Sequence, residues 1–397
     1  MKFSAEKSKI LILNEKQNRD DTIEWKLLGG RLEKVEEYKY LGMKIENKGI
    51  KKEQNNLRVK AEQQYGRLYN DLKFRANKYE LSRGLWKGVA VPTLLYGAEI
   101  LEIGAKETLG LEVVQNRAAR LGLGANKYAP TESLRGEMGW STFEERINKA
   151  KIKYRTRLEK MNDNRWPKKI FNWRGERGEL RKDTNKRMNK LEIKVYKSND
   201  ETVLKLEETE VRGSENLLNK KIDKHISKRG LKKWKEGMEK KNSLRYYRKK
   251  EAPRRENFYD GSWESALYFK ARTNTLEIGE RNNRWTGGEG NCKKCEENNE
   301  INTETIEHIV MECRHYDEER GALIEQIKRN IGNEKWEEIK NTEDQGLNYI
   351  LGLNTEEKGC VKETKKYLGK IWNRRNNSNK VNWNPRKEGD HNYSQER

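Results

Sequence analysis

Three of the four cysteines and one of the four histidines in this chain fall within 22 of its 397 residues, in the order Cys292-x2-Cys295-x12-His308-x4-Cys313. Two thiols on one tight knuckle, with an imidazole and a thiol from a helix and its frayed end, supply four soft or borderline donors. That set closes a tetrahedral zinc site with no open position. Such a site is structural: it fixes a small module and does no chemistry itself. Cys292, Cys295, His308 and Cys313 are the expected ligands, His315 is an alternative to His308, and Cys360 is left over. Catalytic groupings are sparse. The only adjacent aspartates, Asp20-Asp21, lie in a polar run that reads as a turn. Metal-binding catalytic pairs sit instead on a hairpin between apolar strand residues. The sequence has no Ser/His/Asp or Cys/His nucleophile arrangement, P-loop or Gly-x-Gly-x-x-Gly cradle. His225 and His391 read as solvated side chains.

Composition points to a polyanion. There are 86 Lys and Arg against 64 Asp and Glu, a formal charge of +22, with 33% hydrophobic residues. This excess favours RNA and DNA backbones, with affinity that falls steeply as salt rises. The low apolar content implies small cores joined by charged segments. No run of about 18 apolar residues occurs, so no membrane partner or span is expected. The first residues lack the apolar stretch of a secretory signal. Cysteines in a metal pattern suit a reducing, intracellular setting, cytoplasm or nucleus.

The densest basic stretch is Lys228 to Glu256, with 13 Lys and Arg against 4 Glu, a net +9. Trp234, Tyr246 and Tyr247 stand among its cations. Rings in such a setting stack bases where phosphates are neutralised. Lys232, Lys233, Lys249, Lys250, Arg254 and Arg255 would do the neutralising. A disordered basic linker has the same composition, so both readings stand on sequence alone.

Periodicity outlines the supporting elements. Lys9 to Leu13, Trp25 to Leu28, and Tyr38 to Ile45 with a turn at Gly42 read as short strands. Leu57, Ala61, Gln64, Leu68, Leu72 and Arg75 share one helical face. Further helices are expected at Leu81 to Tyr96, with Pro92 as a kink or break, and at Leu109 to Leu123. Thr142-Phe-Glu-Glu145 has capping-box spacing. It opens a helix whose apolar stripe is Phe143, Ile147, Ala150, Tyr154, Leu158 and Met161, with a stop at Pro167. Its other face carries Arg146, Lys149, Lys151, Lys153, Arg155, Arg157 and Lys160, either solvated or facing phosphate. Residues 175 to 227 read as a loose connector, and the end of the chain as a disordered tail.

Several of these stretches resemble parts of the LINE-type, non-LTR retrotransposon reverse transcriptases, which are RNA-directed DNA polymerases. Ala5 to Leu13 is similar to the segment after the catalytic aspartate pair, and Tyr38-Lys-Tyr-Leu-Gly42 to the primer grip. Pro92 to Glu99 and Leu134 to Trp140 resemble the helical thumb and the region beyond it. Cys292-x2-Cys295, Glu304 to His308 and Cys313 to Tyr316 resemble the zinc-binding segment near the carboxyl end. The resemblance covers roughly residues 1 to 320. It implies a mainly α chain with a small α+β N-terminal piece, the end of a palm (1–50), and a helical thumb (51–166). A basic helical connector (167–260), a Cys3His zinc module (261–320), a helical segment (321–375) and the tail (376–397) follow.

By the same resemblance Lys7 matches a lysine that assists the incoming nucleotide, and Tyr40, Leu41 and Gly42 match the primer grip. The chain begins after the family's aspartate pair, so it is expected to be inactive alone, with Mg2+ required only in an intact polymerase. A complete reverse transcriptase acting in trans is a possible partner. A stand-alone, zinc-stabilised nucleic-acid-binding protein and a decayed reading frame are the rival expectations.

Overall fold

The computed structural model describes residues 8–13, 24–40, 42–47, 56–73, 77–198, 201–287, 289–342, 344–353 and 360–377. Lys7, Asp20, Asp21, Leu41, Arg75 and the 378–397 part of the tail lie outside them. The molecule is mostly helical, 63% helix with a few small sheets, which places it in the mainly α class. It divides into two compact units. One comprises Met1–Arg75, Leu81–Leu121 and Met138–Glu236; the other comprises Ala76–Glu80, Gly122–Glu137 and Gly237–Arg397. These do not coincide with the segments drawn from sequence, because each unit is assembled from stretches distant in the chain.

The first unit opens with short paired strands. β1 (Lys9–Ile10) lies parallel to β4 (Glu33–Lys34), while β2 (Lys26–Leu27) and β3 (Gly30–Arg31) form a hairpin. Leu28 and Gly29 turn that hairpin with φ of 49° and 81°, the two positive values a type I′ turn requires. A second hairpin joins β5 (Glu37–Tyr40) to β6 (Met43–Glu46), pairing Tyr40 with Met43. Helix α1 (Leu57–Leu72) buries Leu57, Ala61, Gln64, Leu68 and Leu72, the face its spacing dictates.

The expected break at Pro92 has a specific form. Helix α2 (Lys78–Leu85) runs into a π-turn, Trp86–Ala90, and only then into α3 (Val91–Leu95). The Val91 amide reaches back to Trp86, five residues away, so the ladder has already shifted before it meets the missing Pro92 amide. Trp86 stacks on Trp140 at 6.1 Å, and Ser82 donates to the Ala118 carbonyl of α4 (Ala105–Leu123), after which comes the short α5 (Thr131–Met138).

Thr142 caps α6 (Phe143–Lys160): its hydroxyl accepts from the Glu145 amide at 3.0 Å and donates to the Glu145 carboxylate at 3.2 Å. The side opposite the apolar stripe is not the bare cationic surface expected. Lys151 and Arg155 are buried, Lys151 against Asp183 at 2.8 Å and Arg155 against Glu159 at 2.7 Å. Burial pulls both groups' pKa values down, and the carboxylates offset only part of that loss. Lys153 likewise meets Asp223. Lys151 and Lys153 are thus committed to neighbouring elements, and Arg155 to its own helix.

The stretch expected to be loose is ordered. Helix α7 (Trp166–Arg174) packs Phe171 between Arg155 and Arg181, 4.6 and 4.1 Å from its ring. Helix α8 (Glu179–Lys190) leads into a meander of β7 (Ile193–Ser198), β8 (Glu201–Leu206) and β9 (Thr209–Val211). Ile193 and Leu204 from the sheet join Ile152, Met188, Leu191 and Leu218, Ile222 and Ile226 of α9 (Glu215–Glu239) in one core. Eight apolar side chains, drawn from five elements and a loop, hold together segments that read as merely charged.

In the second unit, α10 (Trp263–Arg272) packs on the long α16 (Val361–Asn377). Between them in the chain come α11 (Gly279–Thr286), the one-turn α12 (Lys293–Glu296), a π-turn at His308–Glu312, α13 (Asp317–Ile331), α14 (Asn333–Asn341) and α15 (Gln345–Ile350). Among the described residues no helix is long and apolar enough to cross a membrane.

Candidate metal centre and nucleic-acid-binding residues

Local backbone bonds fold the knuckle. Cys292 takes an extended conformation and starts α12, its carbonyl accepting from the amides of Cys295 and Glu296. Its own amide donates to Asn302 at 2.7 Å, and Asn291 bridges Thr303, so the loop between the ligand pairs returns alongside the knuckle. His308 and Cys313 are five apart, which a regular α-helix would place on different faces. The π-turn between them bonds the Cys313 amide to the His308 carbonyl at 2.7 Å and brings the pair onto one side.

The four donor atoms then converge. Cys292, Cys295, His308 and Cys313 are buried, with their ligand atoms all within 4.8 Å of one another. Cys295 Sγ lies 3.8 Å from Cys313 Sγ and 3.3 Å from His308 Nε2, and Cys292 Sγ lies 4.0 Å from Cys313 Sγ. Zn–S bonds of about 2.3 Å in a tetrahedron would set sulfurs about 3.8 Å apart. The donor set and its spacing therefore fit a metal ion with four protein ligands. His315 is not part of it; its Nε2 sits 3.3 Å from Asn298 at the surface. Cys360 is buried elsewhere, beside Asn330.

Packing three thiols around one point splits their acidities. The Cys313 hydrogen bond draws Cys292 down to about 3, while the same bond pushes Cys313 up and burial raises Cys295. A cation at the centre resolves the conflict, since thiolates are its ligands. Outer contacts fix the frame. His308 Nδ1 lies 3.6 Å from Glu312. Buried Arg320 donates to the carbonyls of Val310 and Cys313, and Tyr367 of α16 donates to Val310 at 3.0 Å. Glu304, also buried, accepts two bonds from Arg375 of α16 (2.7 and 2.9 Å) and one from the Gly279 amide at 2.6 Å. Partners of this kind orient ligands.

The primer-grip-like hairpin leaves Tyr40 exposed, and Gly42 takes φ +82° at its turn. A Cβ on Gly42 would lie 3.7 Å from the Tyr96 ring, and one on Gly97 would meet the Met43 sulfur at 2.8 Å. The hairpin thus packs against the Pro92 to Glu99 segment.

The basic stretch offers no ring for stacking at the three expected positions. Trp234, Tyr246 and Tyr247 are buried at 1%, 2% and 0% exposure, so no base can stack on them in this fold. Tyr247 donates to the Ser133 carbonyl, and Tyr246 reaches Glu307 at 3.1 Å. Lys250 is also buried, against Glu256 and, at 3.5 Å, Glu137. Rings and cations alternate here because the rings fill the interior. Lys232, Lys233, Lys249, Arg254 and Arg255 remain exposed. Of these, Lys233 meets Glu144, Arg254 meets Glu251 and Arg255 meets Glu80.

Among the described residues the most exposed indoles lie elsewhere, at Trp166 and Trp173 on α7, 75% and 79% exposed. Their spacing of seven, with Ile170 between, was the available signal; Pro167 beside Trp166 masks it by reading as a stop. Comparisons with family models, curated proteins and solved structures found no match to this chain.

Proposed function

We propose that this chain is the carboxyl-terminal part of a non-LTR retrotransposon reverse transcriptase, holding RNA and DNA through its basic surface and bracing the second unit with one structural zinc. The observation that carries the reading is the convergent Cys3His cluster, which lies in the segment that resembles the family's zinc-binding segment. The packing of the Tyr40 hairpin beside Tyr96 supports it, since the resemblance picks out both segments independently. The excess of 86 cationic over 64 anionic side chains supplies the affinity for phosphate.

The test pairs metal analysis of the purified protein with RNA and DNA binding across a salt series. About one zinc per chain and a steep salt slope are expected. A metal-free protein that binds neither polymer at low salt would sink the reading.

A further inference from the structure

The outer face of α7 is the most unusual surface among the described residues. Trp166, Ile170 and Trp173 stand at positions i, i+4 and i+7, on one side of a helix whose other side buries Lys168 and Phe171. All three project into solvent, Ile170 at 55% exposure. Leaving two indoles bare costs the burial free energy that other tryptophans of the chain, such as Trp86, Trp140, Trp234 and Trp336, recover.

The surroundings are cationic. Lys169 lies over the Trp166 ring at 5.5 Å and Arg174 over the Trp173 ring at 5.2 Å, with exposed Arg177 just beyond. Of the carboxylates nearby in the chain, Glu159 pairs with Arg155 and Lys168 and Glu176 with Arg181, while Asp163 is exposed three residues before Trp166. Lys169, Arg174 and Arg177 make no ion pair among the described residues.

We propose that this face is a stacking platform for single-stranded nucleic acid, the two indoles receiving unpaired bases while Lys169, Arg174 and Arg177 neutralise the adjoining phosphates. This deepens the nucleic-acid-binding reading and rests on it. The chemistry selects the ligand. Flat rings flanked by cations match the faces of bases joined by phosphates, and a second copy would bring like charge against like charge. Seven residues of helix set the indoles about 10.5 Å apart along the axis. That is roughly three stacked nucleotides at about 3.4 Å each. A duplex hides its base faces and offers nothing to stack.

The full chain and its Trp166→Ala/Trp173→Ala variant are titrated with oligo(U), oligo(dT), a duplex of equal length and anionic phospholipid vesicles. Both indoles are exposed, so the variant should keep the parent's circular dichroism and melting. Loss of two stacking contacts should weaken single-strand binding by about thirtyfold or more, leave the salt slope unchanged, and barely alter duplex binding. Lys169→Gln/Arg174→Gln should flatten the slope. Unchanged single-strand affinity in the tryptophan variant overturns the platform while leaving the broader reading intact. Equal losses on single strand and duplex overturn it too, as do losses confined to vesicles or to self-association. If the parent binds neither strand nor duplex, the broader reading falls and the platform with it.

Discussion

Arg272 donates to Glu137 across 3.0 Å with both side chains sealed from solvent, although 135 residues separate them. Lys250 lies 3.5 Å from the same Glu137 oxygen and also meets Glu256. Two acids and two bases thus balance inside the second unit. The Arg272 guanidinium further donates to the Gly352 carbonyl at 2.9 Å and lies over the ring of Phe258 at 5.1 Å. The Glu137 carboxylate therefore ties the Gly122–Glu137 stretch of this unit to α10.

Removing one partner strands the other. Glu137→Gln should lower the denaturation midpoint by the equivalent of about 3–5 kcal/mol, because Arg272 stays buried without its counter-charge. Combining it with Arg272→Met should recover most of that loss. A double variant no better than the single one would show that the charges are not coupled.

The pair also sets an acid limit. Burial alone would raise the Glu137 pKa, but Arg272 and Lys250 hold it down at about 2 against an ordinary 4.5. A depressed carboxylate contributes its full stability above the unfolded value and loses it as pH falls toward the folded one. The melting-temperature gap between wild type and Glu137→Gln should hold steady above about pH 5 and narrow toward pH 2. A gap independent of pH would mean the carboxylate is not the ionised partner.

Metal removal should reach further than the ligand loop. Cys292→Ser or His308→Ala should abolish zinc retention in elemental analysis, whereas Cys360→Ser should not. Because Tyr367 and Arg375 of α16 grip Val310 and Glu304, chelation should raise amide exchange there as well as across residues 290–320. The core around Ile152 in the first unit should stay protected. Stoichiometric zinc after replacing both Cys292 and Cys295 would refute the ligand assignment.

Two glycines should respond oppositely to alanine. A Cβ on Gly279 would sit 2.3 Å from the Gly290 carbonyl oxygen, backbone against backbone, beside the metal loop. Gly279→Ala should destabilise by about 1–3 kcal/mol and weaken metal retention. Gly321, inside α13, has nothing within 4 Å of its Cβ position, so Gly321→Ala should stabilise by up to about 1 kcal/mol. Thermal melts of both variants decide this.

On the basic stretch, replacing Lys232, Lys233, Lys249, Arg254 and Arg255 with Gln should flatten the salt dependence of RNA binding. Lys250→Gln should act differently, costing stability through its buried carboxylates. An unchanged slope in the fivefold variant would remove this stretch from the binding surface.

What could be read from the sequence was local. Ligand spacing, the Thr142 cap, the Gly42 turn and the face of α1 each depend on residues a few positions apart. What stayed hidden depends on distant partners. Nothing near Lys151 announces Asp183, and nothing near Lys250 announces Glu137, so buried cations pass for surface ones. The β7–β9 meander escaped notice because a third of its strand residues are charged, most of them facing solvent; only Ile193, Val203 and Leu204, with Thr202, are buried in it.

The π-turn at His308–Glu312 has a consequence for tracing this site across diverged chains. One residue more than an α-helical turn lies between the last two ligands, and the helix absorbs it locally. A deletion within Ile309–Glu312 would restore ordinary winding and leave histidine and cysteine four apart, still on one face. Spacings of three and four intervening residues should thus be aligned as one and the same centre, with the gap placed inside the turn.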